Sequence, residues 1–146
     1  MQQVTLKNTR VLFAAALPMN NHIVNKTRVL IGAKVASQFE KMIQKEYEQM
    51  QRMRYFDPHR SAYIPIQTLP DGRIQLAIRS TENNCRYNRR QAERMMNSPC
   101  DLVLYLNAYA SPSNQGVRCR LVNFTILDGK EEKNLPRIGS WRSDDI

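Results

Sequence analysis

Apolar and polar residues alternate most regularly in the last third of the chain. Leu102, Leu104, Leu106 and Ala108 interleave with Val103, Tyr105, Asn107 and Tyr109, the period-two pattern of a half-buried strand. Ser111 to Gly116 supply turn residues. Val117 to Leu127 predict a long returning strand, with Arg118 and Arg120 alternating against Val117, Cys119 and Leu121, and Asp128-Gly129 ends it. Earlier in the chain, residues 10 to 17 form an apolar run that reads as a strand buried on both faces, followed by a turn at Pro18 to Asn21. The β-branched stretch Thr27 to Val35 predicts a second strand, with Gly32 marking a bulge or a close backbone approach.

The period then changes. Phe39, Met42, Ile43, Tyr47, Met50 and Met53 recur at helical spacing, with Lys41, Lys45, Glu48 and Arg52 on the other face, predicting an amphipathic helix. Ser37 and Glu40 have capping-box spacing at its start. The Met stripe reads as core packing. A loop rich in aromatic and basic groups follows from Tyr55 to Ala62. Two short strands are expected at Tyr63 to Gln67 and Ile74 to Arg79, joined by a turn at Leu69 to Gly72. Asn88 to Asn97 predict a short helix stopped by Ser98-Pro99.

Charge alters the picture. The 146 residues carry 22 Lys and Arg against 13 Asp and Glu, a formal charge of +9. Residues 1 to 39 hold five basic side chains and no acid, and Arg52 to Arg94 hold nine arginines against four acids. Such a basic body is the footprint of a polyanion binder. No apolar run approaches the ~20 residues of a membrane span, and the stretch after Arg10 is too short and lacks the cleavage site of an export signal. Three cysteines, odd in number and with no close pair, read as reduced thiols in a cytoplasmic protein.

Phosphate-loop, dinucleotide-binding and nucleophile-elbow patterns are missing from the sequence, which has only five glycines. The two histidines, His22 and His59, have no ligand spacing, and the cysteines lack the close pair of a zinc site. No catalytic residue, metal or cofactor is therefore assigned. Cys100 and Cys119 read as strand packing, with a cysteine nucleophile as the rival.

Binding an unpaired polynucleotide needs cations that follow the phosphates and flat side chains that stack on bases. Tyr105 and Tyr109 share one face of their strand, as do Arg118 and Arg120 on the next. The register that would align the two pairs is set by the hairpin, and a one-residue slip separates them. A second candidate cluster is Arg86-Tyr87-Asn88-Arg89-Arg90. In it Tyr87 is either a stacking ring or an anchor of the short helix to the core. Arg28 and Lys34, on the expected second strand, complete the candidate binding residues.

The order of elements and the stretch CDLVLYLNAYASPSNQGVRCRLVNFTILDG resemble the single-stranded-DNA-binding proteins of tailed phages and mobile elements. The resemblance lies in the aromatics before the loop and in the return through Gly116, Val117, Leu121 and Leu127. It implies a mainly β fold: an OB-like five-stranded β-barrel with one long inserted helix and one short helix, over residues 1–129. Residues 130–146 would form a flexible tail. It also implies a non-catalytic protein of the host-cell cytoplasm. This protein would coat single-stranded DNA in replication or recombination, contact other replication or recombination proteins, and be free to form a homo-oligomer. Family members often end in an acidic tail with an aromatic tip. This chain ends Trp141-Arg142-Ser143-Asp144-Asp145-Ile146, with two acids and no terminal Phe. Two rivals use the same charge: an RNA-binding or RNA-chaperone OB module, and a small phage or plasmid protein that inhibits an acidic host protein.

Overall fold

The period-two pattern is realised as seven strands in two antiparallel sheets, seen in a computed structural model that describes residues 2–19, 22–80 and 85–130. In chain order the elements are β1 (Gln2–Thr9), β2 (Val11–Met19), β3 (His22–Ile31), α1 (Ala33–Met50), β4 (Ile66–Thr68), β5 (Ile74–Ser80), α2 (Arg89–Asn97), β6 (Cys100–Ala110) and β7 (Gln115–Ile126). One sheet has the order β1-β6-β7, the other β2-β3-β5-β4. The expected five-stranded closed barrel is not what forms. The strands hydrogen-bond as separate three- and four-stranded sheets, and β5 packs beside β7 without joining its ladder. One core unites both sheets and both helices, including Leu6, Val29, Phe39, Leu76, Tyr87, Met95, Leu104 and Leu121.

The alternation along β6 is resolved as expected: Leu102, Leu104 and Leu106 are fully buried and the residues between them only half-buried. The long helix starts earlier than its Ser37-Glu40 pattern suggests. The chain leaves β3 at Gly32, whose extended backbone caps α1 without a side-chain hydrogen bond, and the Ala36 amide donates to the Gly32 carbonyl at 2.9 Å. Lys34 and Val35 therefore belong to the first turn of α1 and not to a strand. Phe39, Ile43 and Met50 bury the apolar stripe, as its spacing requires. α2 begins at Asn88 with a reciprocal capping box to Gln91.

β1 has no counterpart in the sequence reading. It alternates Val4 and Leu6 inward against exposed Gln3, Thr5 and Lys7, and gains its ladder from β6. The apolar run that forms β2 is also less buried than expected. Val11 and Ala14 are in the core, but Phe13 is 41% exposed. Tyr63 to Gln67 yields only the three-residue β4, with Tyr63 making an isolated bridge to Gly116. The tail expected from residue 130 falls, beyond Lys130, outside the described residues, and so does Trp141. No described helix is long and apolar enough to cross a membrane.

Candidate nucleic-acid interface

The β6–β7 hairpin sets the register on which the site depends. Ser111 to Asn114 close its turn, with the Ser111 amide donating to the Asn114 carbonyl at 2.7 Å. The pairs are then Tyr105 with Arg120, Asn107 with Arg118 and Tyr109 with Gly116. Directly opposed residues share a face, so both tyrosines and both arginines stand on the side away from the buried leucines. Arg118 lies over the Tyr109 ring with its guanidinium carbon 3.8 Å from the centroid, a cation–π stack.

β3 and β5 present a matching face. Lys26 pairs with Arg79, and Arg28 with Ala77. These side chains alternate with buried Thr27 and Ile78, so the cations point outward. Between this face and the β7 edge lies an open groove of about 590 Å³. Its cations are Lys26, Arg28, Arg79, Arg118 and Arg120, its rings are Tyr63 and Tyr109, and no acid among the described residues lines it. Among the described residues none of the five cations is ion-paired. Desolvation, then the positive charges of Arg120 and Arg79, push the Arg118 guanidinium below its ordinary range, partly offset by Tyr109. Mutual repulsion among these cations would be relieved by an anion.

Tyr63 reaches the groove through glycine. The Tyr63 amide donates to the Gln115 carbonyl at 3.0 Å, and the Tyr63 carbonyl accepts from the Val117 amide at 2.9 Å. A Cβ on Gly116 would come within 2.5 Å of the Tyr63 carbonyl oxygen, so only glycine lets the two backbones meet. The preceding loop is pinned to the hairpin as well. Arg60 donates to the carbonyls of Ser111, Pro112 and Tyr55, and Gln115 donates to those of Asp57 and Arg60. Burial raises the Tyr63 hydroxyl above its usual range, with Tyr109 and Cys119 adding to the shift while Arg28 and Arg79 oppose it. The ring stays neutral at physiological pH.

The structure gathers only some of the residues expected from sequence. Tyr109, Arg118, Arg120 and Arg28 line the groove. Tyr105 stands half-buried on the same β6 face, beyond the lining. Tyr87 is corrected outright: it is fully buried and leaves no ring face for a base. Its hydroxyl lies 2.7 Å from that of Thr27 and donates to the Lys26 carbonyl at 3.0 Å, its amide donates to Asn25, and Phe124 meets it edge-on. The cluster around it accordingly comes apart. Arg86 is half-buried, and Arg89 and Arg90 are exposed on α2, Arg90 beside a separate cleft with Arg94 and Asp128. Lys34 is exposed on the first turn of α1. None of these four lines the groove. Sequence reasoning missed Lys26, Arg79 and Tyr63. Lys26 precedes the expected second strand, and Arg79 and Tyr63 lay at the ends of expected strands, but nothing short of the sheet pairing places the three opposite β7.

The thiols do not form a reactive pair. Cys85, Cys100 and Cys119 are all buried, and no disulfide joins them. Desolvation pushes the Cys100 thiol up to about 11 and raises that of Cys119 as well, so neither supplies thiolate near neutrality.

No family model matches the chain, and no curated protein matches it. Solved structures do. The single-stranded DNA-binding protein from bacteriophage Enc34 superposes with a TM-score of 0.62 at 10% identity, covering 91% of this chain and 86% of that one. The same phage protein in complex with ssDNA gives 0.61 at 9% identity, covering 88% of each chain. The bacteriophage T7 single-stranded DNA binding protein gp2.5 gives 0.52 at 13% identity, covering 90% of this chain and 98% of that one. Over most of its length, this chain has the fold of phage single-stranded-DNA-binding proteins.

Proposed function

We propose that this protein binds single-stranded DNA, without strong sequence preference, in the groove between its two sheets. It protects exposed strands during replication and recombination in the bacterial host cell, and carries no catalytic activity. The observation that carries this reading is the set of five cations around Tyr63 and Tyr109, with no acid and no ion pair beside them among the described residues. Cations track the phosphates, and tyrosine rings accept any base, because every base has a π-face. Supporting it, one structure of this fold was solved with ssDNA bound. In this OB-like arrangement Tyr109, Arg118, Arg120, Arg28, Lys26, Arg79 and Tyr63 make the principal contacts, and Tyr105 flanks them.

A fluorescence or gel-shift titration with a homopolymeric DNA strand, its duplex and the matched RNA strand, each at two salt concentrations, tests the reading. The expected result is tighter binding to the DNA strand than to its duplex, weakening with salt. Preference for the duplex, or affinity no better than micromolar at low salt, would overturn it. Preference for the RNA strand would move the function to RNA.

A further inference from the structure

Phe13 faces outward against the arithmetic of its own strand. Val11 is 4% exposed and in the core. A regular strand would place the residue two positions on in the core as well. Instead the β2–β3 register shifts between them: Val11 pairs with Val29, but Phe13 pairs with Arg28. One extra residue, Leu12, is accommodated in β2 as a bulge. Bulges re-aim side chains and recur beside functional sites. Here the bulge turns an aromatic ring out of the interior, 41% exposed, on the face that carries Arg28 and Lys26. Arg28 lies over the ring at 5.5 Å from its centroid and also lines the groove. β2 is an edge strand, so the ring stands where the four-stranded sheet ends.

We propose that Phe13, held under Arg28, is a second base-stacking platform, to which the single strand continues after leaving the groove. This rests on the function proposed above and extends it. The ligand is one nucleobase of an unpaired strand, whose flanking phosphates meet Arg28 and Lys26. The hydrophobic effect alone would bury this ring. Its outward placement beside unpaired cations suits a partner that is flat and anionic. Across the sheet, Phe13 on β2 is separated from Tyr109 on β6 by β3, β5 and β7. Phe13 itself does not line the groove, so a strand held at Tyr109 must run across it and past Arg28 to meet the ring.

The test uses the full chain with oligothymidylates of increasing length. Phe13→Ala should weaken binding of long oligomers roughly tenfold and leave the shortest oligomer that the wild type binds unaffected. In a second variant, Phe13→Trp with Trp141→Phe, the only tryptophan reports on the site, because the chain has one. Its emission should be quenched by long oligomers and not by the shortest. Equal affinity of Phe13→Ala and wild type at every length, or an unquenched tryptophan at saturation, would overturn the extension. Should Phe13→Ala fail to fold, the quenching result decides. Tyr109→Ala separates the two readings. If it weakens every length while the Phe13 variants change nothing, only the extension fails. If the wild type binds no oligothymidylate at all, both fail.

Discussion

Tyr87 and Tyr109 show how one residue type serves opposite ends. Tyr109 is half-buried at the groove with Arg118 stacked on its ring. Tyr87 is sealed in the core, where burial pushes its hydroxyl up to about 12 although the Thr27 hydrogen bond opposes the shift. In sequence Tyr87 stands among arginines, while Tyr109 has none nearer than Arg118, across the turn. The β6 alternation made Tyr109 legible, whereas Tyr87 precedes a helix cap and has no period. The two roles call for opposite outcomes. Tyr109→Ala should weaken oligonucleotide binding by roughly 5- to 150-fold, from 1–3 kcal/mol per stacked base, and by more than Tyr105→Ala, with little change in unfolding. Tyr87→Phe should cost about 1–3 kcal/mol in denaturant unfolding, because Thr27 is left without its partner, and leave binding unchanged. Weakened binding from Tyr87→Phe in a folded protein would return that ring to the interface.

At the scale of elements, pairing decides what the local pattern cannot. The β6–β7 hairpin was readable as two strands because eight alternating positions and a polar turn mark it, but its register came only with the pairing itself. β1 was not readable: Gln2, Gln3, Lys7 and Asn8 leave only Val4 and Leu6 as apolar anchors, and the strand exists because β6 offers it an edge. Phe13 was misread for a related reason, since a bulge is written in the β2–β3 pairing and not in the run Val11 to Leu17. α2 is fastened by a contact of the same long-range kind. Arg94 donates to both carboxylate oxygens of Asp128, at 2.6 and 3.0 Å, which ties the helix to the end of β7. That hydrogen bond holds the Asp128 carboxyl down at about 2, from an ordinary 3.8. A depressed acid contributes stability above its unfolded-state value and loses it as pH falls toward the folded one. Asp128→Asn should therefore lower the Tm at neutral pH. Its difference from wild type should shrink as pH falls from 3.8 toward about 2. A pH-independent difference measured by thermal unfolding would show that the ion pair is not what fastens α2.

On the scale of the whole molecule, the excess of basic residues was visible from composition, but its concentration was not. Arg73 is paired with Asp71 at a turn, Arg94 with Asp128, and Arg60 is spent on backbone carbonyls. What remains unpaired at the groove is a small subset of the 22 basic residues. It is assembled from β3, β5 and β7 by the way two separate sheets meet. The mainly β architecture was legible because strand periods and the α1 stripe are local signals. The split into two sheets was not, because hydrogen-bonded closure depends on which edges meet. The central claim is that this gathered charge holds the phosphates of an unpaired strand. The most direct measurement is the salt dependence of oligothymidylate affinity for wild type and for Arg118→Ala with Arg120→Ala. Each single-strand phosphate contact contributes about 0.7 to the log–log slope, so the double variant should flatten it by about 1.4. An unchanged slope in a folded double variant would contradict the account and place the phosphates elsewhere.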